Sequence, residues 1–150
     1  MQARSEEHLE IVRELFLEYW DWLGFEACFE NFDEELADLE RAYGPPAGCM
    51  LVAFYGTETA GCVALRKLSD DCCEMKRLYA RPAFRGKRIG FRLVERIVEE
   101  ARRLGYSRMC LDTLPLMKKA ISLYEHFHFK EIEPYKKDPI PGARYMGLEL

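Results

Sequence analysis

The sequence predicts a mixed α/β sheet with helices packed on its faces. Three observations carry that expectation. The elements follow the order βααβββαβαββ, so strands outnumber helices early and helices separate the later ones. Hydrophobic residues make up 49% and aromatics 13% of a 150-residue chain, enough to bury a real core against the entropy of ordering the backbone. No repeat, low-complexity segment or linker interrupts the order, so residues 1–150 read as a single domain.

Residues Gln2–Arg4 read as the stub of an opening strand. Ser5, followed by Glu6 and Glu7, caps a helix and favours its positive end. Leu9, Val12, Phe16, Tyr19 and Leu23 recur at helical spacing until Gly24. A second, short helix runs from Asp33 to Ala42 and stops at Gly44-Pro45-Pro46. Met50–Tyr55, Thr59–Lys67 and Cys72–Tyr79 read as strands, the first two joined by a turn at Gly56. After Pro82 and a short loop, Ile89, Leu93, Ile97, Ala101 and Leu104 form the apolar stripe of a long helix that ends at Gly105. Arg108–Thr113 follows as a strand and Met117–Phe127 as a helix. Phe129–Glu133 and Arg144–Leu150 make the last two strands.

The net charge of -4 argues against a dedicated nucleic-acid binder, which carries a basic surplus. No run approaches the roughly 20 apolar residues that span a bilayer. The acidic start of the chain is unlike a signal peptide, so the expected location is the cytoplasm. Cys28, Cys49, Cys62, Cys72, Cys73 and Cys110 show no CxxC spacing and read as buried, reduced thiols with no metal among them.

The chemistry signal lies in Arg85-Gly86-Lys87-Arg88-Ile89-Gly90, which leads straight into the long helix. A helix start exposes unpaired backbone N–H groups and the positive end of a dipole, a ready seat for phosphate. Arg85, Lys87, Arg88 and Arg92 concentrate positive charge there. Other phosphate motifs fail. GxGxxG is absent, and Cys62 and Val63 follow the Gly56/Gly61 pair where a Walker motif needs Lys and Ser or Thr. The ligand read from the residues is an anion held at one helix end.

This segment resembles the signature of the GNAT (GCN5-related N-acetyltransferase) superfamily, Arg/Gln-x-x-Gly-x-Gly/Ala. Met75–Pro82 looks like the family's fourth strand and its exit, and Ala120–Tyr124 with Phe127 and Phe129 like its last helix and the strand beyond. Arg88, Met117 and His128 stand where the family usually has glycine, asparagine and glycine. The resemblance covers nearly the whole chain. It implies a mostly antiparallel sheet of six to seven strands, splayed between the fourth and fifth, with acetyl-CoA lying in the gap and no metal.

By the same resemblance, backbone groups of Leu78 and Tyr79 bond the pantetheine. The amides of Arg85, Gly86, Lys87, Arg88, Ile89 and Gly90 hold the pyrophosphate. An amine then attacks the thioester directly in a ternary complex. Tyr124 matches the tyrosine that protonates the leaving thiolate, and Glu74 stands at the spacing of a general-base glutamate. Burial beside a cavity would raise the pKa of Glu74, which suits a base; the plainer reading pairs it with an arginine. His126 and His128 are further base candidates, and Cys110 lacks a neighbour that would activate it as a nucleophile. The implied activity is N-acetyltransfer to a small-molecule or peptide amine, without nucleic-acid or membrane partners, and with a homodimer as an open assembly. The alternative is a non-catalytic domain that binds or senses acyl-CoA. Candidate acceptor residues are Tyr19, Trp20, Trp22, Phe25, Phe29 and Phe32 among Glu18, Asp21, Glu26 and Glu30, together with the Pro139–Arg144 loop, where Arg144 suits a carboxylate.

Overall fold

The computed structural model describes residues 1–23, 32–115, 117–136 and 142–150. The side chain of Ser5 accepts from the His8 amide (3.2 Å) and starts helix α1, Glu6–Leu23. The Leu9, Val12, Leu15, Phe16 and Tyr19 face of α1 is buried. The single helix expected over 33–42 is two, α2 (Phe32–Ala37) and α3 (Leu39–Tyr43). Asp38 divides them. Its carboxylate accepts from the Arg41 amide at 3.1 Å and caps a new helix in place of continuing the old one.

The strands are β1 (Cys49–Tyr55), β2 (Glu58–Lys67), β3 (Cys72–Ala80), β4 (Arg108–Thr113), β5 (Lys130–Glu131) and β6 (Arg144–Glu149). The long helix α4 spans Ile89–Arg103, and α5 spans Lys118–His126. The six-stranded sheet has the order β1-β2-β3-β4-β6-β5, and every neighbour pair is antiparallel except β3 with β4. The opening stub is a single bridge from Gln2 to Leu51. Apolar faces are covered on both sides. Cys73, Met75, Met109, Leu111 and Met146 pack under α4 and α5, while Met50, Val52, Cys62 and Ala64 pack under α1 to α3.

Two irregularities shape the middle of the sheet. Parallel pairing of β3 with β4 covers only Cys72–Glu74 against Arg108–Cys110, so the two strands part beyond Glu74. In β3, Lys76 pairs with Ala64 but Tyr79 with Cys62, which inserts one extra residue as a bulge. Arg77 takes the left-handed conformation there, with φ 60°. Strict alternation would send Lys76 and Arg77 to opposite faces; the bulge turns both toward the α1–α3 side.

Cys49, Cys62, Cys72, Cys73 and Cys110 are buried and free, and the Cys72 and Cys110 sulfurs lie 3.2 Å apart. Cys28 and Gly24 lie outside the described residues. Among the described residues, no helix is long and apolar enough to cross a membrane.

Candidate active site

The exit of β3 is anchored before the basic loop begins. Arg81 donates to the Thr59 carbonyl (3.1 Å) and to both Glu18 and Glu14 of α1, so its charge is already committed. Pro82–Phe84 form a 3-10 turn, and the Lys87 amide closes back on the Phe84 carbonyl at 3.2 Å. Gly86 (φ 86°) and Arg88 (φ 61°) are both left-handed. That conformation accounts for the family's glycine at position 88. Here the Arg88 guanidinium lies 4.3 Å from the centre of the Phe91 ring, which offsets part of the strain. The first helical bond of α4 runs from the Arg92 amide to the Arg88 carbonyl (3.1 Å), so the amides of Ile89, Gly90 and Phe91 precede the intrahelical ladder. Arg85, Lys87 and Arg88 are exposed around them.

A narrow cleft, open to solvent, lies where β3 and β4 part. Met75, Lys76, Arg77 and Leu78 line it from β3, and Asp112 and Thr113 from β4. Tyr19, Met117 and Tyr124 complete it from the helices. The cleft therefore brings together Leu78 and Tyr124 of the expected site, while Tyr79 turns its buried ring toward Tyr19 (5.8 Å).

Tyr124 is fixed by the end of α5. The Phe129 amide bonds the Tyr124 carbonyl (3.0 Å), the His128 amide bonds the Glu125 carbonyl (3.0 Å), and His128 is left-handed at φ 73°. This is a Schellman ending, and the Phe129 ring packs 5.8 Å from Tyr124 as its apolar contact. The family's glycine at 128 thus has a conformational reason too. Burial, aided by Tyr19 and Asp112, pushes the Tyr124 phenol above its ordinary value, so it is protonated at neutral pH.

Glu74 is fully buried, and the expectation that burial would raise its pKa is corrected by its partners. Burial does push upward, but Lys76, Lys136 and Arg66 outweigh it, helped by the Tyr135 hydroxyl, and hold the carboxyl below its usual range. Arg66 Nε donates to Oε1 at 2.8 Å, Tyr135 donates to Oε2 at 2.5 Å, and Lys136 Nζ lies 3.2 Å from Oε2. The arginine pairing is present, between a buried carboxylate and a half-exposed Arg66.

Glu74 belongs to a larger charge cluster that reaches the cleft. Lys136 also bonds Asp112 at 2.9 Å, and Lys76 Nζ lies 3.6 Å from Asp112. Burial would raise Asp112, but Lys76 and Lys136 hold it low. Burial pushes Lys76 down to about 8. The Arg77 guanidinium grips Glu35 of α2 with two bonds of 2.9 and 2.8 Å, and the Tyr43 hydroxyl donates to the same carboxylate at 2.7 Å. Lys76, Asp112, Lys136 and the Arg77–Glu35 pair went unread in the sequence. Their signal was Glu74-x-Lys76-Arg77 inside an otherwise apolar strand, since a charge within a central strand must find a partner.

The remaining candidates fall elsewhere. His126 and His128 are exposed and do not line the cleft. Cys110 is buried against Cys72. Trp20 stacks on Phe32 at 4.3 Å, Trp22 lies under Arg85 at 5.2 Å, and Arg144 pairs with Glu131 at 2.7 Å. Phe25, Glu26, Phe29, Glu30, Pro139, Ile140 and Pro141 lie outside the described residues. Among the described residues, no group of His, Cys, Asp and Glu is placed to hold a metal ion.

Known proteins share this fold. The profile of the acetyltransferase (GNAT) family matches residues 9–129. An uncharacterized N-acetyltransferase of Schizosaccharomyces pombe is 47% identical over 144 residues, covering 95% of this chain and 88% of the relative. Among solved structures, an acetyltransferase from Streptococcus agalactiae superposes with a TM-score of 0.82 at 22% identity, over 100% of this chain and 96% of that one. A putative acetyltransferase from Salmonella typhimurium, described with its cofactor acetyl-CoA, gives 0.74 at 19% identity, over 98% and 91%. By its sequence profile and its close relative, this chain belongs to the acetyltransferase (GNAT) family, and its chemistry is acyl transfer.

Proposed function

We propose that the protein passes the acetyl group of acetyl-CoA directly to an amine acceptor, a small molecule or a peptide, within a ternary complex. The observation that carries this reading is the opening of the sheet beyond Glu74, which exposes the inner edge of β3 to a cleft that ends on Tyr124. A pantetheine arm fits along that edge as an added strand would, bonding the backbone of Leu78 and Tyr79. The amides from Arg85 to Gly90, with the exposed cations around them, would hold the pyrophosphate. The Salmonella structure described with acetyl-CoA supports the same ligand here.

With the thioester so placed, the amine attacks its carbonyl from the α1–α3 side. The tetrahedral intermediate then collapses, and Tyr124 donates its phenolic proton to the departing sulfur. Glu74 serves in this account to brace the charge cluster, because a carboxylate held low by three cations is a weak base. Of the departures at Arg88, Met117 and His128, the first and last do not speak for the alternative, a non-catalytic acyl-CoA-binding domain. Both are left-handed backbone positions, so a glycine there answers a conformational need rather than a chemical one.

The cofactor site is tested at Gly90. A Cβ at this position meets only Leu123 Cδ2 at 3.4 Å, so the fold accepts a side chain. Gly90→Glu should retain the far-UV spectrum and lose calorimetric binding of acetyl-CoA, by bulk and by charge. Binding as tight as wild type would move the pyrophosphate elsewhere.

A further inference from the structure

The acetyltransfer reading leaves one proton unassigned, since the acceptor arrives as an ammonium and must lose a proton before it can attack. The cleft holds a lysine in an unusual setting. Lys76 is 8% exposed and lines the same cleft as Tyr124. The groups facing it are Asp112 from β4, Glu74 and Arg77 from its own strand, Lys136 from the β5–β6 connection, Tyr19 from α1 and Tyr124 from α5. The two carboxylates are shared with other cations. Asp112 lies closer to Lys136 (2.9 Å) than to Lys76 (3.6 Å), and Glu74 is engaged by Arg66 and Lys136.

We propose that Lys76, in its neutral form, is the general base that takes the proton from the acceptor ammonium. The proposal rests on the acetyltransfer reading and assigns a role within it. One N–H bond of the ammonium breaks and one N–H bond forms at Lys76 Nζ, giving a free amine and a lysine ammonium. The amine attacks the thioester carbonyl. In the collapse that follows, Tyr124 gives its proton to sulfur and regains one from the nitrogen of the new amide. The products are an amide and a free thiol, and the proton on Lys76 returns to solvent. Burial supports this by lowering Lys76 to about 8, where neutral lysine is well populated near physiological pH. Arg77 and Lys136 push the same way, against Asp112 and Glu74. The other groups are mismatched, with Glu74 and Asp112 held low and Tyr124 held high.

The test is the pH profile of kcat/KM for thiol release from acetyl-CoA, using amines of graded basicity. In wild type, an inflection near 8 should stay fixed as the acceptor's own pKa changes. Lys76→Arg keeps the charge but cannot give up its proton. It should lose roughly 10²-fold or more at pH 7.5, with the fixed inflection gone and acetyl-CoA affinity retained. Activity within about threefold of wild type, or an unchanged inflection, overturns the proposal, because a purely structural cation would be rescued by arginine. Should the variant not fold, carbon-13 at the Lys76 Cε in wild type decides: titration near 8 supports the base, and titration at an ordinary lysine value refutes it. If wild type binds acetyl-CoA yet acetylates no amine, the acetyltransfer reading fails and this assignment falls with it. Turnover by wild type and Lys76→Arg alike removes the lysine alone.

Discussion

Burial pushes two side chains of the expected site the same way, yet they end shifted in opposite directions. The Tyr124 phenol is raised by burial, with Tyr19 and Asp112 adding to it, so it is protonated as the proposed acid must be. Glu74 is lowered because Arg66, Lys76 and Lys136 outweigh the same effect. Tyr124→Phe should therefore cut kcat by roughly 10²- to 10⁴-fold with little change in acetyl-CoA affinity, read by steady-state kinetics and calorimetry. Glu74→Gln should instead cost about 1 kcal/mol of stability in denaturant unfolding, since the buried carboxylate is lost while Arg66 and Lys136 are only half-buried and Lys136 keeps Asp112. The sign with pH follows from the lowered carboxyl. The stabilisation from Glu74 is present above the ordinary glutamate value of 4.5 and is lost as pH falls through the lower folded value. Wild type should thus weaken steeply on acidification below about 4.5, and Glu74→Gln more gently. At this scale the sequence placed Tyr124 beside the cleft but did not give the setting of Glu74. Tyr135 and Lys136 sit 61 and 62 residues away in the chain, in a connection whose path local spacing does not fix.

Most elements were legible because periodicity and punctuation agree on them. Arg108–Thr113 matches its expected bounds, and α4 follows its apolar stripe. The misread element is the helix over 33–42, where Asp38 falls on the polar face of a pattern that otherwise runs on. A capping carboxylate in such a place looks like any wet residue. Phe129–Glu133 shrank to Lys130–Glu131, whose register against β6 pairs them with Gly147 and Met146, while Ile132 adds a single amide bond to the Tyr145 carbonyl. The start of α4 and the end of α5 explain two of the three departures from the family pattern, Arg88 and His128. His128 is left-handed, exposed and outside the cleft, so His128→Gly should remove strain without removing a contact. After the added entropy of the unfolded glycine, a gain of about 0.5–1 kcal/mol is expected in chemical denaturation. A loss of stability would mean that the histidine side chain holds α5 in some other way.

At the scale of the molecule, the sheet has one parallel junction, and the candidate site lies at it. Adjacent antiparallel strands stay paired along their length, whereas β3 and β4 diverge after three residue pairs and leave an edge and a cleft. The order of elements made the mixed sheet legible, but the divergence was legible only through the family signature, since no spacing rule states where two strands part. That geometry is the basis of the central claim, direct transfer between two ligands held together. Initial rates of thiol release, measured across acetyl-CoA and amine concentrations, test it most directly. The account predicts intersecting reciprocal plots, with one acetylated amine formed per thiol. Parallel plots, thiol release without acetylated amine, or no transfer to any amine by protein that binds acetyl-CoA would contradict it.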